Sequence, residues 1–256
     1  NWMYLSMELA FNDIIILFLC GIIAGFINTI AGGGSLLTLP ILIFMGLPSN
    51  IANGTNRVAI FMQNIFSISG YKSRGISDFK YSSWLSISAL IGAIIGAKIA
   101  VDIDEELFNK ILALVIVLVV STIVFNRKSL NKNSKKLNIS NKIISAILFF
   151  FIGIYGGFIH AGVGFIILTV LSNFNGIKLS KANSIKVFVV FVYTTFALII
   201  FIMENKINWI LGINLGVGNS IGGWIASRWS YNKSDEIIKI FIVISSSIMA
   251  IKLWYF

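Results

Sequence analysis

Long apolar runs, most of them long enough to cross a bilayer, alternate with short polar stretches along the whole chain. The runs fall at roughly 9–30, 35–46, 55–71, 81–101 and 107–126, and again at roughly 142–160, 163–174, 187–203, 207–227 and 237–255. A spanning helix needs about 20 predominantly apolar residues. The pattern therefore predicts an all-α integral membrane protein with five apolar segments in each half. Segments two and seven are too short to cross unaided. Each is either a half-length membrane helix or the returning arm of a re-entrant hairpin.

Both short segments follow a glycine-rich break. The first is Ala31-Gly32-Gly33-Gly34-Ser35, and the second is His160-Ala161-Gly162-Val163-Gly164. A glycine inside a helix costs about 1 kcal/mol relative to alanine. Unwound backbone at membrane depth is tolerated where it is buried in protein or lines a cavity. Paired breaks in corresponding places thus predict a binding site near the bilayer midplane. The alternative is close helix packing by small residues, which suits Gly92, Gly96, Gly218 and Gly222 better than consecutive glycines.

The halves correspond in sequence. Gly25-Phe26-Ile27-Asn28 matches Gly157-Phe158-Ile159-His160, and Gly46, Ala52 and Asn53 match Gly176, Ala182 and Asn183 at a constant offset of 130. Gly92, Gly96, Ile99 and Ala100 match Gly218, Gly222, Ile225 and Ala226 at an offset of 126. An internal duplication follows, with a first repeat at 1–126, a basic linker at 127–141 and a second repeat at 142–256.

Composition agrees with the membrane class. Of 256 residues, 57% are hydrophobic and 12% charged, against about 25% charged in a soluble domain. Mean hydropathy is +0.91. The first apolar run belongs to the repeat, so no cleaved signal peptide is expected. A single cysteine, Cys20, allows no intramolecular disulfide.

The net charge of +10 does not indicate nucleic acid, because the cations lie mainly in loops, and six of the twenty fall between Arg127 and Lys142. Basic loops face the cytoplasm. With the linker inside, Lys72, Arg74, Lys80, Lys178, Lys181, Arg228, Lys233 and Lys239 all fall inside, and the acidic Asp102–Glu106 loop falls outside. Parallel repeats would put five of those cations outside. The expectation is therefore two inverted-topology repeats in the cytoplasmic (inner) membrane, with both termini extracytoplasmic. Trp84, Trp209, Trp229 and Trp254 sit near predicted span ends, where amphipathic rings are favoured.

Candidate chemistry gathers at the breaks. A helix start presents unpaired N–H groups and about half a positive charge, and two converging starts would suit an anion. Candidate site residues there are Gly32, Gly33, Gly34, Ser35, Gly162 and Gly164, with Asn28, Thr29 and His160 beside them. A second polar cluster opens segments three and eight: Asn53, Thr55, Asn56 and Arg57 in one half, and Asn183, Ser184 and Lys186 in the other. Arg57 and Lys186 are read either as interfacial cations that snorkel or as an anion clamp. Gln63, deeper in its segment, would bind a ligand or bridge helices. His160, the only histidine, is either a hydrogen-bonded structural residue or a proton carrier. One histidine, one distant cysteine and no nearby carboxylate leave no metal site, and no cofactor is expected.

The carboxylates are informative by their positions. All ten lie at termini, span ends or loops. Cation pumps and carboxylate proton relays need an acid within the membrane, and paired acids or a Ser-His-Asp constellation are equally missing. The expected ligand is an anion, and the protein is not expected to be an enzyme.

The stretch Gly25-Phe26-Ile27-Asn28-Thr29-Ile30-Ala31-Gly32-Gly33-Gly34-Ser35-Leu36-Leu37-Thr38-Leu39-Pro40, then Gly46-Leu47-Pro48 and Ala52-Asn53-Gly54-Thr55, resembles the TauE/SafE sulfite-exporter family. The break from Gly157 to Gly164 and the segment from Gly176 to Asn183 resemble it too. The second half departs from the family pattern in carrying a shorter glycine run and no proline equivalent to Pro40. The resemblance implies export or import of small sulfur-containing anions: sulfite, thiosulfate, sulfoacetate and related organosulfonates. The expected protein is a secondary transporter working by alternating access, with proton coupling and homo-oligomerisation left open. An uncoupled anion channel, or a permease for another small anion, is the alternative.

Overall fold

The computed structural model describes residues 11–76, 78–125 and 139–229. The tenth segment, nearly all of the linker, and Lys233, Lys239 and Trp254 lie outside them. The described residues are helical: α1 (Phe11–Ile30), α2 (Ser35–Phe44), α3 (Ser49–Lys72), α4 (Phe79–Asp102), α5 (Glu105–Phe125), α6 (Ile139–Phe158), α7 (Val163–Leu168), α8 (Leu179–Met203) and α9 (Trp209–Trp229). The last turn of α7 passes directly into a π-helical stretch, Thr169–Phe174.

Three of these helices are long and apolar enough to cross a membrane: Asn12–Ile30, Lys80–Asp102 and Leu179–Met203. The exposed faces of α4, α6 and α9 agree with lipid as the surroundings. Ile87, Ile91, Ile95 and Ile99 form an exposed row on α4 at four-residue spacing, as do Ile143, Ile147 and Phe151 on α6, and Ile213, Val217 and Ile221 on α9. Continuous apolar stripes of this kind belong against lipid.

Two helices start earlier than hydropathy predicts. Segment three begins at Ser49 rather than near 55, and segment eight at Leu179 rather than near 187. Their first two turns are polar yet buried, with Ser49, Asn53, Thr55 and Asn56 in α3 and Asn183 in α8 sealed from solvent. Polarity there serves contacts inside the protein, so a hydropathy reading mistakes helix for loop.

Glycine contacts fix the helix directions. Gly218 and Gly222 of α9 press on the backbone of Phe18 and Ile22 of α1, so these two helices run parallel. Gly212, Gly216 and Gly223 of α9 meet Val58, Met62 and Ser67 in rising order, so α3 runs parallel to both. With α1 and α3 pointing the same way, α2 must carry the chain back between them. In the second half, Gly92 and Gly96 of α4 press on Phe150 and Ile154, which makes α4 and α6 parallel. Asn175, after the π-helical stretch, bonds Tyr81 and Ser145 near the starts of α4 and α6. That segment too has returned to the end from which its hairpin set out. Segments two and seven are thus returning arms.

The third helix of each half runs opposite to its counterpart. Gly54 of α3 lies against Phe201 of α8, Phe61 stacks on Phe191 at 5.3 Å, and Ser184 donates to Ile76 O at 2.7 Å. The loops sort by end accordingly. Lys181 pairs with Asp78 at 2.8 Å at one end, whereas Ser49 N donates to Glu105 at 3.0 Å and Asn208 N to Thr55 at 2.9 Å at the other. Burial alone would raise the Asp78 pKa, but bonds from Lys181 and the Tyr81 N–H outweigh it and hold the carboxyl below its ordinary value.

The close approaches make a prediction about stability. A methyl group on Gly222 would lie 2.0 Å from Ile22 O, a backbone atom that cannot step aside. On Gly216 it would meet Met62 Sδ at 2.4 Å, near the end of a flexible side chain. Gly222→Ala is expected to destabilise by about 1–3 kcal/mol, and Gly216→Ala by less than about 1 kcal/mol because the methionine can change rotamer. Thermal unfolding in detergent would show the order, and equal losses would contradict it.

Candidate functional site

Each glycine break forms because its backbone takes a conformation that side chains disfavour. Gly32 has φ 85° and Gly162 φ 72°, in the left-handed region that glycine occupies without penalty. The chain turns there, and the two turns meet. A Cβ on Gly32 would lie 2.2 Å from Gly164 Cα, and a Cβ on Gly164 would lie 2.2 Å from Gly32 Cα. The hairpin tips of the two halves therefore touch backbone to backbone. In this conformation no ion fits between Gly32 and Gly164, and packing is what these two glycines permit. Gly34 is equally tight, since a Cβ there would lie 2.2 Å from Ala24 O.

Beside this contact, each half grips the other. Arg57, fully buried on α3, donates Nη1 to Gly156 O at 3.0 Å and Nη2 to Gly157 O, with a longer bond to Phe158 O. Asn53 Nδ2 donates to Phe158 O at 2.7 Å. These carbonyls form the C-terminal end of α6, where a helix carries unpaired acceptors and about half a negative charge. Lys186 of α8 does the same for α1, donating to Asn28 O at 2.9 Å and Thr29 O at 2.8 Å. Neither cation snorkels. Both lie about two turns inside their helices, and each caps the broken helix of the opposite half.

The two cations differ in what they have left to give. An ammonium has three donors and a guanidinium five. Lys186 spends all three, the last on Asn183 Oδ1 at 2.7 Å. Arg57 keeps Nε unpartnered, with its Cζ 4.8 Å from the Phe201 ring centre. Other buried donors without a partner include Ser35 Oγ, Asn56 Nδ2 and Asn183 Nδ2, besides the Ser172 and Thr194 hydroxyls. Asn56 Oδ1 is held by Thr38 at 2.7 Å, which places that amide beside the start of α2. No carboxylate is found among the buried charged side chains of the described residues.

The remaining candidates divide. Asn28 Nδ2 donates to Gln63 at 3.0 Å, Gln63 Nε2 to Thr29 at 3.2 Å, and Thr29 shares a hydrogen bond with Ser67 at 2.9 Å. His160 Nδ1 pairs with Tyr193 OH at 2.9 Å, so the lone histidine is hydrogen-bonded in the core. Thr55 and Ser184 are not at the junction: they bond the Asn208 and Ile76 backbone at opposite ends of the α3–α8 pair. At the second break, the Phe165 N–H closes the first turn of α7 on Gly162 O at 3.1 Å. Gly33 belongs to the first turn of its hairpin, its carbonyl accepting from Leu36 N at 3.0 Å.

Sequence reading missed Thr38, Ser67, Tyr155 and Tyr193. Tyr155 donates to Ala161 O and so fixes the second break from within α6. A polar residue inside an apolar run was the available signal for each.

The sulfite exporter TauE/SafE family profile matches residues 17–253. The chain belongs to that family. Its match takes in both glycine breaks and both capping cations. TauE/SafE proteins are transporters, and this is a multi-pass membrane protein rather than an enzyme. Among curated relatives, the chain is similar to a "Probable membrane transporter protein" of Haemophilus influenzae, 28% identical over 97% of each chain. It is similar as well to "Probable membrane transporter protein ORF9" of Sinorhizobium sp, 27% identical over 96% of this chain and 94% of that one. "Probable membrane transporter protein YfcA" of Escherichia coli K12 is 25% identical over 94% of this chain and 89% of its own. No solved structure matches the chain.

Proposed function

We propose that this TauE/SafE protein is a secondary transporter of small sulfur-containing anions, of the sulfite, thiosulfate and organosulfonate class, in the cytoplasmic membrane. The observation that carries this reading is the pair of buried cations, Arg57 and Lys186, at the meeting of the two breaks with only carbonyl and amide partners. Each capped helix end contributes about half a negative charge, so a cation beside it leaves net positive potential. An oxyanion would balance it. The unpartnered donors Arg57 Nε, Asn56 Nδ2, Asn183 Nδ2 and Ser35 Oγ would bind its oxygens.

Alternating access suits the architecture. The opposed directions of α3 and α8, the paired hairpins and the constant sequence offsets support two inverted repeats. Basic loops 72–80 and 178–181 share one end, which would be cytoplasmic. Parting the Gly32–Gly164 contact would move one hairpin tip against the other and open the site to one side at a time. For proton coupling, His160 is a titratable candidate at the junction, and its bond to Tyr193 gives it a structural role as well.

The test is reconstitution into proteoliposomes with labelled sulfite, thiosulfate and a short alkylsulfonate. Accumulation above equilibrium under an imposed proton gradient is expected. Passive flux that never exceeds equilibrium would favour the uncoupled channel, and no flux of any of the three would remove the substrate class. Asn53→Ala, which frees Phe158 O, should weaken binding of all three anions together.

A further inference from the structure

The two sides of the glycine junction differ in chemistry. Towards the end of α3, Thr29, Gln63 and Ser67 form a hydrogen-bonded row between α1 and α3. All three converge on the bare face of Gly223 on α9: a Cβ there would lie 2.6 Å from Ser67 Oγ, 2.9 Å from Gln63 Cγ and 3.2 Å from Thr29 Oγ1. One turn back on α9, Asn219 is 2% exposed and its Oδ1 has no partner. One turn on, Ser227 packs against Gly70 near the end of α3. Lys72 and Arg74 follow, exposed.

The opposite side lacks this row. Under the two-half correspondence on which this comparison rests, Asn28–Gln63 maps onto His160–Tyr193, and both pairs are hydrogen-bonded. Beyond that pair the chemistry parts. Thr29 maps onto Ala161, Ser67 onto Ala197, Asn219 onto Ala93, Gly223 onto Ala97 and Ser227 onto Val101. Ala97, Val101 and Ala197 join Phe201 in a sealed apolar cluster under Arg57. Interhelical hydrogen bonds can serve simply as glue in a membrane protein. Yet the corresponding positions on the other side are filled by alanines and a valine, so the fold does not require the polar groups.

We propose that Thr29, Gln63, Ser67 and Asn219 line the ligand's half-path between the glycine junction and the α3–α4 loop, and that the Phe201 cluster is the dry gate on the other side. Hydroxyls and amides replace water around an anion without binding it as tightly as a charge does. The exposed cations Lys72 and Arg74 would raise the anion concentration at its mouth. The row is closed in this conformation, with Ser67 and Gln63 buried.

The test is cysteine labelling of the full chain in a Cys20→Ala background, with each membrane orientation presented in vesicles. Sulfonatoethyl methanethiosulfonate is an impermeant anion the size of a short alkylsulfonate. Ser67→Cys is expected to react at least tenfold faster than Ala197→Cys, and only from the side where Lys72→Cys reacts. Gln63→Cys against Tyr193→Cys repeats the comparison if either first variant does not fold. Equal rates, the reverse order, or no reaction at the first-half positions of folded protein overturns the half-path. Protection by ethanesulfonate is a separate readout: its absence beside intact labelling asymmetry keeps the path and removes the sulfonate reading.

Discussion

Gly32→Ala is expected to be the most damaging single methyl group in the protein, destabilising it by about 2–5 kcal/mol. Two costs combine at that position. A left-handed backbone, φ 85°, costs an L-residue about 1–2 kcal/mol. The new Cβ would also lie 2.2 Å from Gly164 Cα, and overpacking against backbone costs about 1–3 kcal/mol. Two controls separate these effects. Gly75 has φ 69° but open space around it, so Gly75→Ala should show only the strain. Gly164→Ala makes the same clash from the other side and should show the steric cost. Unfolding temperatures of the three variants in one detergent give the comparison, and a Gly32→Ala loss no greater than that of Gly75→Ala would mean the hairpin tips do not touch.

The second large effect is expected at the capping cations, and it should split into stability and binding. Arg57→Met leaves Gly156 O and Gly157 O without their donor. A buried acceptor left unpaired costs about 1–3 kcal/mol, offset in part because a charge is no longer held away from water. A net loss of about 2–4 kcal/mol follows. Lys186→Met should cost a similar amount through Asn28 O, Thr29 O and Asn183 Oδ1.

The conservative variant distinguishes the roles. Arg57→Lys keeps the charge but loses the spare Nε, and one charge-assisted hydrogen bond is worth about 1.5–3 kcal/mol, or roughly 10–100-fold in affinity. Anion affinity should therefore fall further than stability does. Lys186 has no donor to spare, so Lys186→Met should lower stability without changing the ranking of anions. Isothermal titration beside thermal unfolding measures both, and equal ligand selectivity changes at the two sites would refute the asymmetry.

Much of this was legible in the sequence because a membrane makes local composition decisive. Apolar length placed nearly every described helix, and the two glycine clusters located both turns to within a residue or two. Position along the chain also showed that no acid occupies the middle of an apolar run. The two helix starts placed too late have a single cause. Hydropathy treats a polar residue as facing water, and so places Asn53, Asn56, Arg57, Asn183 and Lys186 at the polar ends of their helices. These residues face broken helix ends inside the protein instead, and α3 and α8 therefore extend about two turns further.

Sequence alone therefore determined the class, the segment count within the described part, the paired breaks and the absence of membrane acids. These depend on composition over one helix length, which the bilayer reads directly. Only the tertiary structure decided that the short segments return, that Gly32 rests on Gly164, and that each cation holds the opposite half. Such contacts join residues about 100 or more positions apart (Arg57 to Gly156, Lys186 to Asn28). Their partners are backbone carbonyls, which every residue carries alike. The sequence places each cation near the start of an apolar run; that it is buried, and which helix end it caps, is set by where the other half of the chain folds.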